Sequence, residues 1–336
     1  MLKMKVKYYR DNPAIFLRRG VQLLSLGIIL LAAFQFGEFV SALRSGGAES
    51  YRPPIVEGFL PVAAVVALRN FAATGVFDVV HPAGLIILIL ALGTAFIFRR
   101  GLCSWLCPLG LLSESLWRLG GKAKWRIARL PRYIDYPLLW LKYAAFIVIL
   151  KYFFFMGAKD AAAFMRMPYY AISDIKMFDM FGGLSWIGFA IIGGLLLLTF
   201  FVRSFWCRYL CPYGAVLGFA GLFSPFVLSS DKKSCTGCGK CQRACPGIVN
   251  VAKGRAVVLS TECTGCATCV SVCPEKGALT FRFFGLVKVK PLIFGILFLT
   301  LFFAVVYLAK GKGLWESSLK FEQYRRLDRV MNRPHR

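Results

Sequence analysis

The chain contains very little histidine and few acidic residues. Histidine occurs only at His81 and His335, and 16 Asp and Glu stand against 42 Lys and Arg in 336 residues. A membrane carrier of haem b needs axial ligands within the bilayer, usually pairs of histidines, so the sequence argues against that class. No cysteine lies outside a spaced motif. None is left for a structural disulfide, which indicates a reducing compartment and metal ligation.

Apolar residues are correspondingly abundant. They make up 58% of the chain, and the mean hydropathy is +0.63, whereas soluble domains contain about 45–50% apolar residues. A net charge of +26 could indicate nucleic-acid binding. Here the basic residues flank long apolar runs, as the positive-inside rule of membrane insertion describes. We therefore expect membrane lipid, and no nucleic acid, as a partner.

Five apolar stretches are candidate membrane spans, each of which needs about 17–25 residues. A sixth stretch, 59–80, contains Pro61 and several polar residues. We interpret it as two short half-helices that re-enter from the outer face, because the basic segments then share the cytoplasmic side. The predicted fold class is an all-α multi-span membrane protein with a small α+β ferredoxin-like domain. The predicted spans are 21–43, 83–98, 136–156, 184–202 and 289–309.

The predicted order of domains places the chain in a bacterial inner membrane with the ferredoxin-like domain in the cytoplasm. The basic C-terminal tail departs from the positive-inside rule if the final span places it outside the cytoplasm. The alternative is a last apolar segment that enters the membrane and returns, which keeps the tail inside. The expected parts are a basic cytoplasmic N-terminus (1–20), a membrane domain (21–230), a ferredoxin-like domain (231–285), a final span (286–310) and a basic tail (311–336).

Eight cysteines repeat the spacing C-x2-C-x2-C-x3-C-P of bacterial two-cluster ferredoxins. Three closely spaced thiolates would wrap one cubane, and the fourth would open a helical turn that reaches the other cluster. Gly237 and Gly265 would let the loops approach the clusters closely. Zinc is the alternative, but two complete runs that end in Cys-Pro disfavour it. The predicted ligands are Cys235, Cys238, Cys241 and Cys273 for one [4Fe–4S] cluster, and Cys263, Cys266, Cys269 and Cys245 for the second.

An internal repeat supplies the remaining cysteines. Residues 102–110 (LCSWLCPLG) match residues 206–214 (WCRYLCPYG), and each copy contains a CxxxCP motif. Positions i and i+4 share a helix face, so each motif should present two thiols together. The two pairs would then face each other across the repeat. The thiols concerned are Cys103, Cys107, Cys207 and Cys211.

Four converging thiolates suit a third iron–sulfur cluster or a soft ion such as Cu(I). The other interpretation is that these thiols are free, or form a dithiol–disulfide couple. Arg100, Arg203 and Arg208 lie close by in the sequence. We expect them to lower the pKa of the thiols and to offset the charge of a four-thiolate site.

Three ionisable residues lie in or beside the re-entrant stretch: Arg69, Asp78 and His81. Ionisable groups at membrane depth are candidates for function. Oxidation of a quinol releases two protons, which a histidine and a carboxylate could accept, so these residues form the candidate quinone site. An equal alternative is that Arg69 pairs with Asp78 while His81 caps the helix that follows.

The order of spans, CxxxCP, spans, CxxxCP and a two-cluster ferredoxin resembles the NapH/NosR-type polyferredoxin membrane proteins over residues 10–285. The resemblance implies a quinol dehydrogenase-like electron-transfer subunit, with quinone and a cytochrome or iron–sulfur subunit of a redox complex as partners. A final span resembles instead the copper-handling assembly factors of cytochrome oxidase, so a copper-binding and copper-reducing factor is the second hypothesis. A redox sensor ranks third, because the sequence has no recognisable output domain.

Overall fold

The computed structural model describes residues 12–119, 127, 129–183, 185–231, 233–251, 257–275 and 277–332. It is mostly helical with one small sheet. The helices are α1 (Pro13–Ser45), α2 (Pro61–Thr74), α3 (Pro82–Phe98), α4 (Gly101–Trp105), α5 (Pro108–Leu119), α6 (Arg132–Ile149), α7 (Ala158–Met165), α8 (Pro168–Ala171), α9 (Ser173–Gly182), α10 (Trp186–Phe201), α11 (Pro212–Ala220), α12 (Lys240–Ala244), α13 (Thr268–Ser271), α14 (Pro291–Gly311) and α15 (Phe321–Met331). The strands are β1 (Phe226–Ser230), β2 (Leu279–Phe283) and β3 (Val287–Val289).

The chain divides into two compact units. The first contains the described residues of 1–26, 91–146 and 192–302, and therefore all twelve cysteines. The second contains the described residues of 27–90, 147–191 and 303–336.

Three helices in the described part of the chain are long and apolar enough to cross a membrane. They are α1, α6 with the π-helical turn Leu150–Phe154 that continues it, and α14. A fourth span results if α9 and α10, which meet at 87°, count as one broken span. The predicted number of five spans is not confirmed, because α3 has only 17 residues and belongs to the shorter apolar helices.

The stretch 59–80 contains one helix, so the prediction of two half-helices was wrong. Pro61 occupies the first turn of α2, where its missing N–H costs nothing. The helix then continues for 14 residues and ends at Gly75, which has a φ of 71°. Gly75 adopts this left-handed conformation without a Cβ penalty. A non-helical segment leads from there to α3.

The ferredoxin-like domain is built on an antiparallel sheet in the order β1-β2-β3. Phe226 pairs with Phe283, and Phe281 pairs with Val289. Leu228 and Phe281 point into a core that also contains cysteines of both runs. The domain therefore begins with β1, before the predicted boundary at residue 231, and β3 extends it beyond 285.

The C-terminal tail folds as α15 and packs within the second unit. The ring of Phe39 makes edge-to-face contacts with Phe321 and Tyr324, each at 5.6 Å between centroids. The backbone N–H of Ser318 donates to the carbonyl of Val79 over 2.9 Å. The tail is thus a structural part of this unit as well as a run of positive charge.

Candidate iron–sulfur centres

Two cavities in the ferredoxin-like domain are lined by cysteine. The thiols separate into the same two sets of four that the spacing predicts, although their role as ligands stays a prediction. Cys235, Cys238, Cys241 and Cys273 line the first cavity (set 1), and Cys245, Cys263, Cys266 and Cys269 line the second (set 2).

The loops of both sets turn through left-handed backbone. Gly237 and Gly265 occupy equivalent positions with φ of 69° and 60°, and a Cβ on Gly265 would lie 3.1 Å from the carbonyl oxygen of Phe98. The third cysteine of each run lies in a short helix, α12 or α13. The fourth cysteine follows that helix and precedes Pro246 or Pro274. Cys245 opens a turn, since the Ile248 N–H donates to its carbonyl over 3.2 Å, although no helix starts there.

The chemistry of the donors fits iron–sulfur clusters. Burial and the neighbouring Cys266 raise the pKa of Cys245 to about 12, so its thiolate needs a cation beside it, and a bound metal ion deprotonates a coordinating thiol. Among the described residues, no three His, Cys, Asp or Glu side chains lie close enough together to hold a single metal ion. Thiols that surround a cavity suit a multi-iron cluster better than one zinc ion.

The two CxxxCP motifs bring their thiols together by a different route from the predicted one. Cys103 lies in α4, but Cys107 precedes Pro108, which starts a new helix. Likewise Cys207 lies in the π-helical turn Trp206–Leu210, and Cys211 caps α11, accepting from the Gly214 N–H over 3.4 Å. The thiols of a motif therefore do not share one helix face. They nevertheless converge, since Cys207 interacts electrostatically with the other three.

The expectation that arginines lower the pKa of these thiols holds for the direction in which Arg100 acts on Cys207 and Cys211, but burial outweighs it. Burial is the largest effect and, with the neighbouring thiols, raises the pKa of Cys207 well above its usual value despite Arg100. Burial likewise raises the pKa of Cys107 to about 12. Arg203 donates instead to the Cys245 carbonyl over 3.2 Å, and Arg208 pairs with Asp135 over 2.8 Å.

We predict that Gly110→Ala damages the CxxxCP site. A Cβ at Gly110 would lie 2.2 Å from the carbonyl oxygen of Cys103, and one at the equivalent Gly214 would lie 3.1 Å from that of Cys207. Relieving such an overlap costs about 1–3 kcal/mol and displaces the loop that bears the thiols. Thermal unfolding should therefore occur at lower temperature, with less iron per chain.

Gly93→Ala is the matched control for this variant, because Gly93 lies in α3 with no atom within 4 Å of the added Cβ. Replacing a helical glycine in open space should leave the iron content unchanged and the stability equal or slightly higher. Equal iron content and stability in the Gly110→Ala and Gly93→Ala proteins would contradict the prediction.

Both repeats contact the loops that carry set 2. From the first repeat, Ser104 donates to the carbonyl of Thr264 over 2.7 Å, and Trp105 Nε1 donates to that of Gly265. Two residues before the second repeat, Ser204 donates to the carbonyl of Pro246 over 3.0 Å, and Arg208 within the repeat donates to that of the next residue, Gly247. These carbonyls lie between Cys263 and Cys266, or one or two residues after Cys245. Residues beside the CxxxCP thiols thus anchor both motifs to the loops of set 2.

The candidate quinone residues separate into two environments of the second unit. The Tyr170 hydroxyl donates to Asp78, and His81 Nε2–H donates to the Tyr170 carbonyl over 2.8 Å. Asp78 and His81 are therefore joined through Tyr170, and both are buried. Arg69 donates to the carbonyl of Met156 over 3.2 Å. The alternative in which Arg69 pairs with Asp78 is not what the structure has.

The sequence did not predict the buried ion network that lies beside His81. Arg52 lies between Glu57, at 2.8 Å, and Asp174, at 2.7 Å, and both carboxylates are fully buried. His81 Nδ1 lies 3.6 Å from the same Glu57. Burial alone would lower the pKa of His81, but Glu57 and Asp174 outweigh it and the pKa lies above its usual value. The only signal of this network in the sequence is the scarcity of acidic residues.

Two family models match the chain. A model described as a 4Fe-4S dicluster domain matches residues 228–282, which include sets 1 and 2. A model described as a 4Fe-4S binding domain matches twice, over residues 80–126 and 184–229, and each match contains one CxxxCP motif.

Similar proteins cover most of the chain. YccM of Escherichia coli strain K12, named as an electron transport protein, is 36% identical over 92% of this chain and 89% of its own length. The methylamine utilization ferredoxin-type protein MauN of Methylorubrum extorquens is 28% identical, over 73% of this chain and 80% of MauN. The ferredoxin-type protein NapH of Escherichia coli is 25% identical, over 72% and 78% respectively. No solved structure gives a significant match.

Proposed function

The chain belongs to the 4Fe-4S ferredoxin-type membrane electron transport proteins, and on this premise we propose that it transfers electrons between membrane quinone and a redox partner through three iron–sulfur clusters. Membership confirms the family predicted from the motifs. The observation that carries the proposal is the contact of both CxxxCP repeats with the loops of set 2. Bound [4Fe–4S] clusters supply one-electron transfer at such sites.

Set 1 and set 2 are proposed to hold one cluster each, and the four CxxxCP thiols a third. The match of both repeats to a 4Fe-4S binding domain supports the third centre. Its thiols come from two halves of a duplicated unit, an arrangement that often builds a shared site. Burial raises the pKa of Cys107 and of Cys207, so the ionisation of these two thiols needs a cationic centre.

The proposed order of centres is CxxxCP site, set 2, set 1. The repeats contact the loops of set 2 through Ser104 and Arg208. In set 1, Cys238 is exposed, whereas Cys245, Cys266 and Cys269 of set 2 are buried. An exposed ligand suits electron exchange with a second protein, so set 1 is the proposed contact point for the redox partner.

Quinol is proposed to bind near Asp78 and His81, with Arg69 as a less direct contributor. Both groups are buried; His81 lies beside Glu57, and Asp78 accepts from the Tyr170 hydroxyl. Buried ionisable groups at membrane depth are candidates for proton exchange. Oxidation of one quinol yields two electrons and two protons. Asp78 and His81 would accept the protons, and the electrons would pass to the CxxxCP site.

The proposed topology retains five spans with the ferredoxin-like domain in the cytoplasm and the tail outside. Contacts within the second unit support the position of the tail. Arg325 donates to the carbonyl of Gly47 over 2.7 Å, and Asp328 pairs with Arg44 over 3.2 Å. Residues 44–58 form the loop that the charge rule assigns to the outer face, so the tail would share that side.

We expect a soluble quinol analogue to reduce the clusters of the purified protein under anaerobic conditions. Bleaching of cluster absorbance and electron paramagnetic resonance (EPR) would follow the reaction. His81→Asn and Asp78→Asn should slow reduction by quinol, since they remove the proton acceptors, while reduction by dithionite stays unchanged. A fully loaded protein that no quinol analogue reduces and no quinone oxidises would refute the proposal.

A further inference from the structure

Arg100 lies where the two repeats and the ferredoxin-like domain meet. It lies two residues before the first repeat, and its side chain is 3% exposed. Its Nη1 donates to the Thr261 carbonyl over 3.0 Å and to Glu262 over 3.2 Å, directly before Cys263 of set 2. Its Nη2 lies so close to Gly214 of the second repeat that a Cβ there would approach it to 2.7 Å. One guanidinium thus contacts all three parts.

The guanidinium also faces the CxxxCP thiols. It interacts with Cys103, as a hydrogen-bond partner, and with Cys207. Its Nε is buried and has no hydrogen-bond partner among the described atoms. A buried donor without a partner costs free energy, so the position favours an acceptor that arrives with the metal centre, such as a cluster sulfur.

The two repeats differ at the position of Arg100. Ser204 lies three residues before the first cysteine of the second repeat, whereas Arg100 lies three residues before that of the first. Lys142, which is fully buried, donates to the other oxygen of Glu262 and so fixes the carboxylate that holds Arg100.

We propose that Arg100 is a positioning residue that raises the reduction potential of the CxxxCP centre, and that Glu262 holds its guanidinium in place. Hydrogen bonds to sulfur and net charge set the potentials of iron–sulfur clusters. Reduction adds one negative charge, which a buried cation stabilises. The proposal rests on the third cluster of the proposed function.

The test is a potentiometric titration of the purified full-length protein, followed by EPR. The signal missing from the Cys207→Ser protein identifies the CxxxCP centre. Arg100→Gln should lower the reduction equilibrium constant of that centre about tenfold, or ~59 mV for one electron, with a smaller decrease in set 2, whose loop Arg100 also contacts, and no change in set 1. Arg100→Lys, which keeps the charge, should show a smaller decrease. Arg118→Gln, on α5 with its side chain 41% exposed, is the control and should show none.

Glu262→Gln provides an independent arm, because its amide oxygen can still accept from Arg100 and hold the guanidinium, whereas the negative charge that offsets Arg100 is removed. The potential of the CxxxCP centre in the Glu262→Gln protein should then rise. This variant still tests the inference if the Arg100→Gln protein fails to bind the cluster. Unchanged potentials in Arg100→Gln with full iron content, or in Glu262→Gln, would overturn the inference and leave the third cluster intact. A wild-type protein without a third cluster signal would refute the proposed function itself.

Discussion

Replacing Cys103 or Cys207 by serine is expected to abolish quinol-driven reduction of the two ferredoxin-domain clusters while dithionite still reduces them. Removing one thiolate from a four-thiolate site should prevent cluster binding there. Sets 1 and 2 do not use these thiols, so their clusters should remain. Anaerobic mixing with a quinol analogue, followed by visible absorbance, would measure the loss.

Cys238→Ser is the matched control for these variants. Cys238 belongs to set 1 and is exposed, so its loss should affect the outermost cluster only. Quinol should still reduce the remaining clusters of this protein at the wild-type rate. Quinol-driven reduction of the Cys103→Ser protein at the wild-type rate would contradict the proposed point of electron entry.

Arg52→Met is expected to be the most destabilising substitution in the second unit. It would leave two fully buried carboxylates, Glu57 and Asp174, without their cation. Breaking a buried ion pair by removing one partner costs about 3–5 kcal/mol. The guanidinium also lies 5.3 Å from the ring centroid of Tyr324, so the anchoring of α15 should weaken as well. Thermal unfolding in detergent, followed by circular dichroism, would measure the effect.

Arg44→Met makes a close comparison, because Arg44 also pairs with two carboxylates, Asp179 and Asp328. Its side chain is 40% exposed, and exposed pairs contribute only about 0–1 kcal/mol. The midpoint of unfolding should therefore fall much less than in Arg52→Met. Equal decreases in the unfolding midpoint of the two proteins would contradict the prediction. Burial of the ion network would then not account for its contribution to stability.

The grouping of the ferredoxin-domain thiols could be predicted because their spacing is a short-range constraint. Loops such as Cys235–Cys241 leave the backbone few conformations, and Gly237 supplies the left-handed one that they need. The convergence of the CxxxCP thiols followed from the repeat. Their local geometry did not, since Pro108 and Pro212 start new helices and so remove the second cysteine from the face of the first.

The ion network of the second unit could not be predicted in the same way. Arg52 and Asp174 are far apart in the sequence, and neither lies in a motif. Their pairing depends on tertiary packing, which hydropathy does not report. The packing of α15 could not be predicted either. Within the strongly charged residues 311–336, hydropathy does not single out Phe321 and Tyr324, the residues that pack.

The iron content of the anaerobically purified wild-type protein tests the central claim most directly. The account predicts about twelve iron atoms per chain, with as much acid-labile sulfide, as three [4Fe–4S] clusters require, and no stoichiometric copper. About eight iron atoms, with copper bound in stoichiometric amount and lost in Cys103→Ser, would contradict it and favour a copper-binding factor.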